Sequence, residues 1–400
     1  MKKNNRVTPE GTKDYLFEEC QVRRKIEGWL AGMFSSHCFR EVITPGLEFY
    51  DVYDSDFSGI PPEVMYKMSD SKGRLMVLRP DNTLSIARLT AVRLQNYPRP
   101  LRLYYRQPVY RNNPGLTGRS NENLQMGVEM LGASGLRPDL EMVSMAVEAL
   151  SSFFPDFRLE LGHAGFFRVL ADRLSTSAEV REEIRKAIET KNYTALSKTL
   201  SCFPDCTEVR ALLELPHLFG GEEVFEKAAV FCTGRLRKTL EYLHLIYRSV
   251  AELGLGDKLI VDLGLVQRND YYTGIIFSAY AESYGDALLL GGRYDNLLEH
   301  FGTPMPAVGF GVNVDAIAQI LLKRGGTCKQ QCAEVLVHGE DGYEARAIQY
   351  AANLAGQGVC CENSICKTDK EAMEYARSVG IGRVDFVGSA VRTVGTGVKI

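Results

Sequence analysis

VDLGLVQRNDYYTGIIFSAYAESYGDALLLGGRYD, running from Val261 to Asp295, is the stretch whose reading decides the fold. Two short apolar runs, IVDLGLV and TGIIFSAY, flank the polar tetrad Arg268, Asn269, Asp270 and Tyr271, a pattern expected where two strands meet at a polar, partly covered site. LLLGGRYD supplies a further strand that breaks at Gly291 and Gly292, where the missing Cβ lets another backbone or a ligand come close. Tyr271, Tyr272, Tyr280, Tyr284 and Tyr294 crowd the same stretch. Taken alone, it fits equally an aromatic-rich antiparallel sheet that binds nothing.

Upstream, MYKMSDSKGRLMVLRPDNTLSIARL (Met65 to Leu89) reads as a hairpin around Ser71 to Gly73, with a second strand that delivers Arg79, Pro80, Asp81, Asn82 and Thr83 to a helix start. Such a cluster presents backbone N–H groups and side chains to a ligand, and simple helix capping by Asp81 or Thr83 accounts for it equally well. PLRLYYRQPVYRNNPGLTGRSNENLQMGVEMLG (Pro100 to Gly132) reads as strand, loop, strand, the loop spanning 112–123. In the returning strand Gln125, Gly127 and Glu129 alternate with Leu124, Met126, Val128 and Met130, so one face is apolar and the other offers an amide, a gap and a carboxylate. That carboxylate is either solvated or, beside Arg111 on the neighbouring strand, part of a polar pocket.

The remaining segments organise around these. Val22 to Ser35 carries Ile26, Trp29, Leu30, Met33 and Phe34 at helical spacing, and FREVITPG then forms a short strand stopped by Pro45. Pro138 to Phe154 reads as a helix capped by Asp139, and FRLELGHAGFF as a strand. From about 168 to 256 helical patterns dominate; a capping box from Thr176 to Glu179 opens one, Arg235 to Leu253 is another, and Leu215 to Gly221 is a break. PMPAVGFGVNVDAIAQILL reads as strand then helix. A linker, KRGGTCKQQ, follows, and residues 333–400 alternate strand, helix, strand, helix, strand as a small α/β unit.

Four hundred residues exceed one ordinary core, so two or three domains are expected. Hydrophobic residues make up 45% and charged residues 24%, an ordinary globular composition. A net charge of −3 and a pI near 6.2 give no general attraction to phosphate backbones, and the RLRK cluster at Arg235 to Lys238 reads as a solvated helix face. The basic N-terminus has no apolar region behind it and no apolar run reaches membrane length, so a soluble, cytoplasmic protein without a membrane partner is expected. The ten cysteines include CxxxC spacings at Cys202/Cys206 and Cys328/Cys332 but no CxxC pair, and the six histidines are scattered, which does not support a metal site.

LRPDNT, RLYYRQPVYR with GRSNENLQMGVEMLG, NDYYTG, LGGRYDNLLEHFG and PAVGFGV resemble, in order and spacing over most of residues 7–322, the catalytic core of histidyl-tRNA synthetase, a class II aminoacyl-tRNA synthetase. FREVITPG resembles the first class II motif, PVYRNN through GVE the second, and GFGVNVDAI the third. The resemblance implies an α/β (α+β) fold with a class II antiparallel sheet core over 1–325, a helical insertion at about 168–256, and a truncated anticodon-binding-like α/β domain over 333–400. It also implies a histidine pocket. Asp81 and Thr83 would receive the α-amino group, Gln125 the backbone end, Glu129 and Tyr272 the two imidazole nitrogens, and Arg111 the carboxylate, with Tyr271 in the same set. These pairings are chemically sound, since a carboxylate accepts from an imidazole N–H and suits an ammonium.

The departures fall elsewhere. Gln267 stands where the synthetases carry a catalytic arginine, Ala316 where an arginine holds ATP, Asn113 in place of an acidic residue, and Asn123 in place of the aromatic that stacks on adenine. A neutral amide or a methyl group supplies no fixed cation for adenylate formation. Asp81 is itself one methylene shorter than the family's glutamate. The combination resembles the regulatory subunits of ATP phosphoribosyltransferase, synthetase-like proteins without aminoacylation activity that act at the first step of histidine biosynthesis. That implies no catalytic residues and no cofactor. The implied partner is the short-form catalytic subunit, in a hetero-octamer built on homodimers joined through the first motif, with histidine as the feedback effector and no nucleic acid. Two other readings stand beside it: a divergent active histidyl-tRNA synthetase, which Arg111 and the C-terminal unit favour and Gln267 and Ala316 oppose, and a tRNA-binding histidine sensor, which the near-neutral charge disfavours.

Overall fold

In the computed structural model the described residues are 6–113, 120–266, 271–282, 284–325 and 333–398, apart from the side chains of residues 55 and 56. The apolar periodicity at the start becomes α1 (Phe17–Ser36), which buries Val22, Ile26, Leu30, Met33 and Phe34. FREVITPG forms only a two-residue strand, β1 (Arg40–Glu41), because Val42 makes one further ladder bond to Tyr104 and the chain then turns at Pro45 with Ile43 exposed. β2 (Leu47–Phe49) and the one-turn α2 (Ser55–Ser58) follow, and then the expected hairpin, β3 (Lys67–Ser69) and β4 (Leu75–Leu78). The Asp70 carboxylate closes that hairpin by accepting from the amides of Lys72 (2.8 Å) and Arg74 (2.9 Å). β2, β4 and β3 make a small antiparallel sheet.

Asp81 caps α3 (Asn82–Arg93), its side chain accepting from Leu84 N at 3.1 Å. β5 (Leu101–Tyr110) and β6 (Glu122–Leu131) pair over ten residues each. α4 (Leu136–Ser151) starts two residues earlier than the sequence suggests, from Gly135. Asp139 is therefore not its cap. It is buried inside the first turn, where Arg293 donates to it through Nε at 2.8 Å and Tyr242 through its hydroxyl at 2.7 Å. FRLELGHAGFF divides into β7 (Phe157–His163) and the start of α5 (Gly165–Arg173).

The helical stretch holds α5, α6 (Ala178–Glu189), α7 (Tyr193–Leu200), α8 (Thr207–Glu214), β8 (Phe219–Gly220), α9 (Glu223–Ala229) and α10 (Arg235–Val250). Ser177, not Thr176, caps α6 by accepting from Val180 N. The break at Leu215 to Gly221 is the place where this stretch joins the sheet, because β8 pairs with β9 (Leu259–Asp262). β10 (Ile275–Ala281), β11 (Leu289–Arg293), β12 (Ala307–Asn313) and α11 (Val314–Lys323) complete the first unit.

Nine strands form one sheet in the order β1-β5-β6-β12-β11-β10-β7-β9-β8, antiparallel except for the β1/β5 and β7/β9 pairs. The two strands of the opening stretch do not pair with one another: β7 lies between β9 and β10. The reason is register. β10 matches β7 residue for residue from Ile275↔His163 to Ala281↔Phe157, which fills that edge of β10.

The chain divides into two compact units, Met1–Gly326 and Thr327–Ile400. The second contains β13 (Val335–Gly339), α12 (Glu344–Gly356), β14 (Cys361–Asn363), α13 (Asp369–Val379), β15 (Arg383–Val387) and β16 (Val391–Gly395). Its sheet runs β14-β13-β15-β16, with the last strand, which the sequence reading left out, antiparallel to β15. Among the described residues no helix is long and apolar enough to cross a membrane.

Candidate functional site

The polar face of β6 is where the site begins. Pairing sets Glu129 opposite Gly309, Gly127 opposite Gly311 and Gln125 opposite Asn313 on β12, and Gly309 opposite Gly292 on β11. The strands thus present a floor of glycines flanked by two functional side chains. The missing atoms are needed: a Cβ on Gly309 would strike the Glu129 carboxylate, one on Gly311 would lie 2.5 Å from Gln125 Nε2, and one on Gly292 2.7 Å from the Tyr272 ring.

Above this floor lies a cavity of about 520 Å³, and Asp81, Thr83, Arg111, Gln125, Glu129, Tyr271 and Tyr272 all line it. α3 supplies Asp81 and Thr83 from its N-terminal end, β6 supplies Gln125 and Glu129, and Arg111 follows directly after β5. The loop is anchored from below by Arg79, whose buried guanidinium donates to the carbonyls of Pro45 (2.9 Å) and Pro108 (2.8 Å). The Arg111 Nε likewise donates to Pro80 O at 2.8 Å, leaving its Nη2 3.9 Å from Asp81.

Glu129 is the centre of the buried end. It is 1% exposed; Thr83 Oγ1 donates to its Oε1 at 2.7 Å and the Tyr294 hydroxyl donates to its Oε2. Burial pushes its carboxyl up to about 8, against those two hydroxyl donors, and the charge of Asp81 adds to the rise. Asp81 is likewise raised by burial, with Arg111 and the amides of Leu84 and Thr83 opposing. Asn82 Nδ2 (2.9 Å) and the Tyr105 hydroxyl (3.2 Å) both donate to Gln125 Oε1, which turns that amide into an oriented donor. Tyr271 and Tyr272 are buried with ring centroids 4.8 Å apart, and Arg168 on α5 donates to the Tyr272 carbonyl at 2.8 Å.

Two contributors were not legible as site residues. Tyr294 was visible only as one tyrosine among several; its position after Arg293, which is pinned to buried Asp139, is what carries its hydroxyl to Glu129. Tyr105 sits opposite Gly127, whose missing side chain leaves room for its ring.

The positions matching nucleotide contacts do other work. Asn113 Nδ2 donates to Ser120 O (3.0 Å), and Asn123 Nδ2 to the same carbonyl (3.2 Å), so both amides brace their own loop. Ala316 is buried in the first turn of α11, where its amide donates to Asn313 Oδ1. Gln267, Arg268, Asn269 and Asp270 lie outside the described residues. The cavity continues over β10, β7 and β9 to Glu160, Asp262, Glu189, Asp286 and Lys191. Burial, and then the charge of Asp262, push Glu160 up to about 7, with Lys191 opposing. Among the described residues, the cavity wall carries six carboxyl groups (Asp81, Glu129, Glu160, Glu189, Asp262, Asp286) and two cations (Arg111, Lys191). No cluster of three or more metal-ligating side chains occurs among the described residues.

The sequence model of the histidyl-tRNA synthetase family matches residues 11–317. The ATP phosphoribosyltransferase regulatory subunit of Clostridium botulinum (strain 657 / Type Ba4) is 38% identical over 388 residues, covering 96% of this chain and 91% of that protein. The protein of the same name from Clostridium kluyveri is 40% identical over 375 residues, covering 92% of this chain and 96% of the other. A crystal structure described as an ATP phosphoribosyltransferase regulatory subunit/histidyl-tRNA synthetase from Bacillus halodurans superposes with a TM-score of 0.84 at 27% identity, covering 97% of this chain and all of that one. The family model, the near full-length relatives and the superposed structure agree: the chain belongs to the ATP phosphoribosyltransferase regulatory subunit family, built on the class II fold of histidyl-tRNA synthetase.

Proposed function

We propose that this chain is a non-catalytic subunit that binds free histidine and conveys it, as feedback inhibition, to a short-form ATP phosphoribosyltransferase catalytic chain that also needs this subunit for activity. One observation carries the reading: a single cavity brings together side chains that suit an amino acid with an imidazole side chain, and the rest of its wall is, among the described residues, poor in cations. Glu129 and Tyr272 meet the imidazole. Asp81 and Thr83 meet the ammonium, Arg111 the carboxylate, and Gln125 offers an oriented N–H. A triphosphate entering the same cavity meets, among the described residues, only the cations of Arg111 and Lys191, and neither Asn113, Asn123 nor Ala316 adds one. That weighs against the divergent-synthetase reading, which Arg111 and the C-terminal unit still favour.

We infer the rest of the assembly from the resemblance to the family. Residues 1–325 are read as the synthetase-like core and 333–400 as a truncated counterpart of an anticodon-binding domain. The exposed apolar side chains of Ile43, Leu47 and Phe49, on and after the first class II motif, suit a homodimer within a hetero-octamer, in the cytoplasm. The test is reconstitution with the catalytic chain. With Glu129→Ala the complex is expected to keep its phosphoribosyltransferase activity and lose its sensitivity to histidine. Inhibition at an unchanged histidine concentration places the inhibitory site elsewhere and overturns the reading.

A further inference from the structure

β11 carries its side chains to both faces of the sheet, because successive residues of a strand alternate. Gly292 faces the Tyr272 ring on the pocket side, and Gly291 faces Phe277 and Phe310 on the other. Arg293 shares the face of Gly291 and reaches α4, while Tyr294, the next residue, shares the face of Gly292 and carries its hydroxyl to Glu129. The partner of Arg293 on α4 is Asp139, which is fully buried. Both of its oxygens are taken. Oδ1 accepts from Arg293 through Nε at 2.8 Å and through Nη2, and Oδ2 accepts from the hydroxyl of Tyr242, on α10, at 2.7 Å. Burial raises the Asp139 carboxyl, and the bonds from Arg293 and Tyr242 oppose that rise. Arg293 in turn holds the backbone on either side of Tyr294. Its Nη1 donates to Asp295 Oδ1 at 2.9 Å, its carbonyl accepts from Thr273 N at 2.7 Å, and Asp295 N donates to Thr273 Oγ1 at 2.9 Å. A Cβ on Gly274 would lie 2.9 Å from Arg293 Cδ, so the stem of the guanidinium is confined as well.

We propose that Tyr242 and Asp139 are positioning residues for Glu129, and that α10 of the helical stretch is coupled through them to the buried end of the pocket. Neither side chain lines the cavity. Their effect passes through the sheet. A buried carboxylate that loses one of its donors carries a large desolvation cost, so Asp139 without the Tyr242 hydroxyl shifts to recover a partner. Arg293 is bonded to the same carboxylate and moves with it, and Tyr294, fixed through its neighbours 293 and 295, follows. Coupling is reciprocal: a ligand that draws Glu129 and Tyr294 into one arrangement favours the matching arrangement of α10. The positioning of Glu129 stands without the histidine reading, and only the effects on histidine binding rest on it.

The experiment uses the full-length chain with isotopically labelled glutamate, the Glu129 carboxyl signal being assigned by its loss in Glu129→Gln. In the parent that carboxyl is expected to titrate at about 8. Tyr242→Phe removes one hydroxyl and keeps the ring. It should move the Glu129 titration upward by about half a pH unit or more, because a Tyr294 hydroxyl that backs away no longer stabilises the carboxylate. Thr83 and Asp81, the other groups that act on Glu129, belong to the start of α3 and are untouched by the change. Histidine affinity, read by calorimetry, should fall about three- to tenfold, and in Asp139→Asn by at least as much. In the parent, bound histidine should also slow hydrogen exchange in α10. An unchanged or lowered Glu129 titration in Tyr242→Phe, even with a lowered melting temperature, shows a role in stability alone and overturns the positioning. Equal exchange in α10 with and without bound histidine overturns the coupling. A shifted titration in a chain that binds no histidine overturns the function proposed above and leaves the positioning standing.

Discussion

The two ends of the cavity above the glycine floor share one sheet face and differ in what their side chains are asked to do. At the Glu129 end every polar group points at a neighbour or at the open space above the glycine floor, and each is oriented by a further residue: Thr83 and Tyr294 on Glu129, Asn82 and Tyr105 on Gln125, Arg168 on Tyr272. At the end that matches the nucleotide motifs, Asn113 and Asn123 turn inward to their own loop, and the surrounding strands add carboxylates. The difference teaches that a recognition site and a reaction site built on the same strands are separable. Recognition needs oriented donors and acceptors, whereas adenylate formation also needs fixed positive charge where negative charge develops.

The contrast breaks first if the chain turns out to activate histidine. Two missing cationic contacts at about 3 to 4 kcal/mol each correspond to a loss of roughly 10⁵-fold in rate, so histidine-dependent exchange of pyrophosphate into ATP should be undetectable. Robust exchange would restore the enzyme reading. The next largest effect is expected at the floor. Gly309→Ala places a methyl group against the Glu129 carboxylate and must displace it. Overpacking of this kind costs typically about 1 to 3 kcal/mol, so histidine affinity should fall about 10- to 100-fold while Gly302→Ala, at a position with open space, leaves it unchanged apart from backbone strain at its φ of +74°. Calorimetric titration of both variants checks it, and an unaffected Gly309→Ala would show that the floor does not shape the pocket.

The smallest expected effect is on pH, and it sharpens the comparison most. Glu129 is raised to about 8, above its ordinary value of 4.5. Between an imidazole pKa of about 6.5 and that value, Glu129 holds a proton and free imidazole does not, so the separate partners carry one proton in total, as the bound pair does. Affinity should be flat in this window. Above 8 the empty site has lost its proton and binding must take one up; below about 6.5 the partners carry two and binding must release one. Affinity therefore falls on both sides, by up to about tenfold per pH unit. Glu129→Gln, which cannot ionise, should remove the high-pH limb, and a profile without that limb in the parent chain would show that Glu129 is not the group facing the imidazole.

Several of these features were readable before any coordinates. The alternation of Gln125, Gly127 and Glu129 with apolar residues follows from the two-residue period of a strand, and Asp81 as cap follows from its place before Asn82 to Arg93. The misreadings have a common cause. Asp139 looks like a cap because local chemistry favours one there, but Arg293, 154 positions away, claims its carboxylate. The capping box shifted by one residue to Ser177 because Thr176 and Ser177 are equivalent on local grounds. β9 and β10 look like neighbours because they are close in sequence, while the pairing of β7 with both is a long-range choice of register.

The sequence by itself determined the strand and helix periods, the residue types at the amino-acid end, and the loss of cations at the motif positions, because each of these is a property of a short window or of a single side chain. The tertiary structure alone decided that Tyr294 meets Glu129, that glycines from β6, β11 and β12 form one floor, that, among the described residues, six carboxyl groups share one cavity, and that Tyr272 lines two cavities. Those facts depend on strand register and on the burial that follows from it. Register is set by the mutual fit of segments more than a hundred residues apart, and the raised pKa of Glu129 exists only once that fit has excluded water.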